Sequence, residues 1–132
     1  MIAVDTSILI ALAACEQNYR TYEAILATQN FMVGPSVLLE SHLVLRSRKD
    51  VEPRAFLEAI QRLLRYPFVT LEERHFNAAR DAFDLYGKGR GHPAQLNFGD
   101  CLSYAMAKVA SVPLLFKGDD FRHTDIEPAL RA

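Results

Sequence analysis

A short apolar run, Met1 to Val4, stops at Asp5 and gives way at once to a helical stretch. That junction constrains the fold more than any other feature. A run this short and uniformly apolar reads as a strand buried on both faces. Thr6 or Ser7 then caps the helix, whose apolar residues are Ile8, Leu9, Ile10 and Leu12. The same motif recurs. Phe31 to Val33 is followed by Gly34-Pro35-Ser36, which opens a helix reaching about Ser47, since proline suits a first helical turn. Phe68 to Leu71 reads as a third strand, and the Ser/Thr-x-x-Glu spacing of Thr70 and Glu73 predicts a capping box for a helix running towards Tyr86. Two further helices are expected, over Glu16 to Gln29 and from Asp50-Val51-Glu52-Pro53 to Pro67. A last one runs from Asn97 to about Ala110. Val112 to Phe116 and Thr124 to Glu127 complete the strands. Strands separated by helices predict an α/β fold of three layers, with a central, mostly parallel sheet of four to five short strands flanked by helices.

The chain has 132 residues, the size of one domain spanning 1–132. Half of it is hydrophobic, which excludes a disordered chain, and a net charge of -1 excludes nucleic-acid binding through bulk positive charge. The two cysteines, Cys15 and Cys101, are too few for a disulfide framework and lack zinc-site spacing. The longest apolar run, Ile8 to Cys15, is far too short to span a membrane, and Asp5 sits where a signal peptide would be positive. The expectation is a cytoplasmic protein.

In an open α/β sheet, ligands gather at the C-terminal ends of the strands. Here those places are acidic. Asp5 ends strand one, Asp119 and Asp120 follow strand four, Asp100 lies in the first turn of the helix leading into strand four, and Glu40 lies in the helix after strand two. Each has a plain alternative: Asp5 as a cap, Asp100 facing the helix dipole, Glu40 on a surface, Asp119-Asp120 in a turn. Together they form a cluster whose mutual repulsion calls for a proton or a cation. Oxygen ligands alone select a hard ion such as Mg²⁺ or Mn²⁺, and that suits phosphate chemistry.

Asp5-Thr6-Ser7, Glu40 in the third helix, Asn97-Phe98-Gly99-Asp100-Cys101-Leu102-Ser103-Tyr104-Ala105 and Pro113-Leu114-Leu115-Phe116-Lys117-Gly118-Asp119-Asp120-Phe121 together resemble the PIN domain. More closely, the whole chain resembles the VapC toxins of bacterial type II toxin–antitoxin pairs. The resemblance implies a metal-dependent endoribonuclease in which Asp5, Glu40, Asp100 and a fourth acid hold Mg²⁺ or Mn²⁺. Thr6 or Ser7 would orient Asp5 or a metal-bound water. A water would attack the phosphate in line, leaving a 5′-phosphate and a 3′-hydroxyl. Many relatives carry Ser or Thr two places before the fourth acid and an aromatic about three after it. Here Lys117-Gly118 precede Asp119 and Phe121 follows by two, so Asp119 is taken as the fourth acid with Asp120 as its substitute. The resemblance also implies a homodimer, a VapB antitoxin laid across the acidic groove, and tRNA or ribosomal RNA as substrate.

Gly87-Lys88-Gly89-Arg90-Gly91-His92 is not a phosphate loop, because it follows a helix and lacks the terminal Lys-Ser/Thr. It reads as a mobile loop. Lys88 and Arg90 there, and Arg46 and Arg48 at a helix end, are candidate contacts to RNA phosphates. The four histidines are scattered and are not needed. A phosphate-accepting receiver domain would need an acid at the end of strand three, where Thr70-Leu71 stand. A phosphohydrolase of the Asp-x-Asp type would need an acid at Ser7. A non-catalytic module that only binds RNA or a partner would lack one of Asp5, Glu40 and Asp100, and all three are present.

Overall fold

A computed structural model describes residues 1–64 and 69–131. Three strands pair in it, β1 (Ile2–Val4), β2 (Phe31–Met32) and β3 (Leu114–Leu115), in the order β2-β1-β3. Both pairings are parallel, with Ile2 opposite Phe31 and Val4 opposite Leu115. Successive strand residues face opposite ways, yet Ile2, Ala3 and Val4 are all buried. Helices therefore cover both faces of the sheet. Among the described residues they are α1 (Thr6–Ala13), α2 (Tyr19–Thr28), α3 (Pro35–Leu45), α4 (Pro53–Leu63), α5 (Glu73–Tyr86) and α6 (Phe98–Ala110). None is long and apolar enough to cross a membrane.

The sheet is smaller than the four to five strands expected. Phe68, the start of the predicted third strand, lies outside the described residues, and Val69 to Leu71 pair with nothing there. The predicted fifth strand, Thr124 to Glu127, is irregular: it follows a tight 3-10 turn, Asp120–His123, and leads to a single bridge between Pro128 and Leu114 at the edge of β3. Leu114 N–H donates to the Glu127 carbonyl and Ala129 N–H to the Leu114 carbonyl, each at 2.9 Å. Pro128 sits between them as the bridged residue; its own N–H position faces away from β3, so proline is tolerated there.

Helix starts also differ in detail. Asp5, not Thr6 or Ser7, caps α1, because its carboxylate reaches the Ser7 N–H directly. α2 starts at Tyr19 rather than Glu16, since Cys15 and Asn18 adopt left-handed backbone (φ 52° and 71°) that a helix cannot include. α5 starts one turn after Thr70. Its cap is Glu72, whose N–H donates to Nδ1 of the buried His75 at 3.0 Å. The glycine-rich loop is pinned at its base. Lys88 N–H donates to the Leu96 carbonyl at 2.8 Å and Leu96 N–H to the Tyr86 carbonyl at 2.9 Å, while Ala94 and Leu96 are fully buried.

Candidate active site

Asp5 leaves the end of β1 buried, with 3% of its surface exposed. Its Oδ2 accepts from the Ser7 N–H at 3.0 Å and from the Ser7 hydroxyl at 2.7 Å. The same hydroxyl oxygen accepts the Lys117 N–H at 2.9 Å, tying the β1–α1 junction to the end of β3. Asp5 Oδ1 is buried and has no hydrogen-bond partner among the described residues. An unpartnered buried carboxylate oxygen is costly unless something positive meets it.

Glu40 comes from α3. The Thr6 hydroxyl donates to its Oε1 at 2.5 Å. Its carboxylate lies against the first turn of α6 at Gly99, where there is no side chain to exclude it. Asp100 stands on that turn. Asn97 caps the helix by accepting the Asp100 N–H at 2.9 Å, and Asp100 Oδ2 accepts the Asn97 N–H at 3.1 Å. The carboxyl of Asp100 is pushed up from 3.8 to about 7. Burial is the largest cause, and the charges of Asp5, Asp120 and Glu40 act the same way, against the Asn97 hydrogen bond.

A common pattern runs through the three acids. Each has one oxygen engaged by a donor of its own chain: Asp5 Oδ2 by Ser7, Glu40 Oε1 by Thr6, Asp100 Oδ2 by Asn97. Among the described residues no donor meets the other oxygen of any of them. The acids are not collapsed on one another, and among the described residues no three His, Cys, Asp or Glu side chains already stand as a closed metal cage. The donor set nevertheless fits a hard divalent ion: oxygen atoms only, one of them buried and orphaned.

The two candidates for a fourth acid, Asp119 and Asp120, have different surroundings. Asp119, preferred from the sequence, has a side chain 87% exposed that faces Arg122 Nε at 3.7 Å. It lines a different groove, with Asn18, Tyr22 and Arg131. Asp120 opens the 3-10 turn, and its charge is among those that push the Asp100 carboxyl up. The Cys101 thiol is driven up to about 11 by burial and by Asp100, so it stays protonated and inert as a nucleophile.

The PIN domain profile matches residues 2–127. The chain belongs to the PIN-domain family. It is 42% identical over 129 residues to ribonuclease VapC28 of Mycobacterium tuberculosis, covering 96% of both chains. It is 38% identical over 124 residues to ribonuclease VapC30 of the same species, covering 93% of this chain and 94% of that one. These similarities place this PIN domain among the VapC ribonucleases. Its fold matches that of M. tuberculosis VapC20, described as a Sarcin-Ricin loop cleaving toxin, with a TM-score of 0.68 over 97% of this chain and 100% of that one, at 21% identity.

The four basic candidates of this PIN domain are exposed. Lys88 and Arg90 lie on the loop leading into α6, and Arg46 and Arg48 follow the end of α3. Arg48 pairs loosely with Asp50 at 3.6 Å. Glycine 99 was legible only as part of a motif; its role against Glu40 joins residues 59 positions apart in sequence, which local patterning cannot show.

Proposed function

We propose that this chain is a VapC-type endoribonuclease toxin that hydrolyses RNA phosphodiester bonds at Asp5, Glu40, Asp100 and Asp120. The observation that carries this reading is the half-engaged state of the first three acids. Each is oriented by a donor on one oxygen and, among the described residues, has the other clear of protein donors. Asp5, Glu40 and Asp100, with Asp120 as the weaker fourth, would hold Mg²⁺ or Mn²⁺. Bound there, the ion would neutralise the acids, polarise a phosphoryl oxygen and make a water more acidic.

The chain's own residues prepare that chemistry. Ser7 fixes the Asp5 carboxylate and is itself fixed by the Lys117 N–H. Thr6 holds Glu40. Asp100, with its pKa near neutrality, must shed its proton before it can act as a ligand. Lys88 and Arg90, and Arg46 and Arg48, would hold RNA phosphates without reading sequence. The substrate class is tRNA or ribosomal RNA; the VapC20 description favours the second for that relative alone. A VapB antitoxin would bring a basic side chain to the acids, and a cytoplasmic setting follows from such a pair. The chain would work as a homodimer. A groove of about 380 Å³ between α5 and α6, walled by Phe76, Phe83, Phe98 and Leu102, leaves Phe98 82% exposed. A second copy would bury that apolar face.

The test is cleavage of total tRNA and of ribosomal RNA by purified protein with Mg²⁺, Mn²⁺ or EDTA, against a folded Asp100→Asn variant. Metal-dependent cutting lost in the variant is expected. Cutting that survives both EDTA and Asp100→Asn would overturn the acid site. Wild-type protein that binds RNA but cuts neither pool with either metal would favour a non-catalytic binding module.

A further inference from the structure

We propose that Gly99 is a positioning residue: the missing side chain on the first turn of α6 is the space in which the Glu40 carboxylate sits. This rests on the reading of Glu40 as a metal ligand. A Cβ added at Gly99 would stand 2.7 Å from Glu40 Oε1 and 2.8 Å from Glu40 Cδ, with Oε2 closer still. No carbon tolerates oxygen at such separations. The crowding is local to this spot. Where α3 and α6 meet again, a Cβ at Gly34 would be 3.4 Å from Met106 Sδ, close to ordinary contact. Gly99 needs no unusual backbone, since it lies within the helix. Its side chain is missing for the sake of its neighbour, not its own conformation.

The two contacts on Glu40 act together. Thr6 holds Oε1 from the α1 side, and Gly99 admits the carboxylate from the α6 side, one residue before Asp100. An alanine at 99 would push the carboxylate out of this slot and off the Thr6 hydroxyl. The displaced group is the far end of a flexible side chain, so the fold itself should survive. Alanine is also the better helix former.

The experiment uses the full chain and Mn²⁺ alone as probe. Thermal melts are taken in EDTA and across a Mn²⁺ titration for wild type, Gly99→Ala, Glu40→Ala and the double variant. In EDTA, Gly99→Ala should melt at or above the wild-type temperature. Its Mn²⁺ midpoint should rise about tenfold, in the range seen when the support of a metal ligand is lost. In the Glu40→Ala background, Gly99→Ala should change the midpoint no further. RNA cleavage by Gly99→Ala should recover at raised Mn²⁺. A Gly99→Ala protein with the wild-type midpoint, beside a weakened Glu40→Ala, would overturn the proposal. So would a melting point well below wild type in EDTA, or an undiminished effect in the Glu40→Ala background. A wild-type midpoint in Glu40→Ala would instead sink the assignment of Glu40 as a ligand.

Discussion

Replacing Asp100 by asparagine removes one charge from a place where four are crowded, and keeps an acceptor for the Asn97 N–H. In the folded, metal-free protein the carboxyl rises from 3.8 to about 7, through burial first and then through Asp5, Asp120 and Glu40. Taken in full, that change corresponds to about 4 kcal/mol. Asp100 is only half-buried, so solvent screening reduces the figure to roughly 2 kcal/mol. The direction follows from proton uptake. Between about 4 and about 7 the folded state holds a proton on Asp100 that the unfolded chain has already released. The stability this proton contributes is fully present below pH 4 and is lost as pH rises through about 7. Asparagine does not titrate. In EDTA at pH 8, Asp100→Asn should therefore be more stable than wild type by roughly 2 kcal/mol, about 6 °C in melting temperature for a chain of this size. The advantage should shrink towards zero at pH 4. With Mn²⁺ the order should reverse, because only the ionised carboxylate binds the ion: wild type gains stability that grows with pH through about 7, and the variant gains little. Urea or thermal melts of both proteins at pH 4 to 8 measure this. A stability difference in EDTA that does not change with pH would refute the electrostatic account of the site.

Three further outcomes are expected. Asp120→Asn should lower the pH midpoint of the Asp100 effect and weaken Mn²⁺ stabilisation, whereas Asp119→Asn should leave both close to wild type; equal effects in parallel melts would undo the choice of Asp120. Ser7→Ala deprives Asp5 of a donor and leaves the Lys117 N–H without its acceptor, so it should cost about 2 kcal/mol in urea melts without metal and weaken the Mn²⁺ response as well. Phe83→Asp should convert a dimer to a folded monomer in light scattering; a monomeric wild type would remove the homodimer.

Local features were legible and long-range ones were not. The strand ending at Asp5 and the helix that begins at Asn97 depend on neighbours a few residues away, and both stand where the sequence puts them. β2 and β3 are two residues each, held as strands only by pairing with β1. A segment such as Val69 to Leu71 has equal strand character and no such partner among the described residues, so composition overcounts the sheet there. Asp119 and Asp120 are a sharper case. They are adjacent, equally acidic and equally exposed in sequence terms. What separates them is their place after Gly118, whose φ is 102°: Asp119 precedes the 3-10 turn and pairs with Arg122, while Asp120 is the turn's first residue and its charge adds to the rise at Asp100. No spacing rule carries that difference.

The same reasoning explains why the site is assembled from half-engaged acids. Four free carboxylates at one sheet edge would swing apart, and four fully hydrogen-bonded ones would have nothing to offer a cation. Ser7, Thr6 and Asn97 each take a single oxygen, which fixes a carboxylate's direction without satisfying it. The remaining repulsion adds to burial at Asp100, whose carboxyl is pushed up to about 7, and is relieved there by a proton. On the proposed reading, metal-free protein near neutral pH carries a proton on Asp100 that a bound cation would displace. Proton release on Mn²⁺ binding is the direct consequence: close to one proton per chain from Asp100 at pH 6, falling towards zero at pH 8.5, measurable in weakly buffered solution. Release that does not vary with pH, or that persists in Asp100→Asn, would show that the proton sits elsewhere and that the acids are arranged for another purpose.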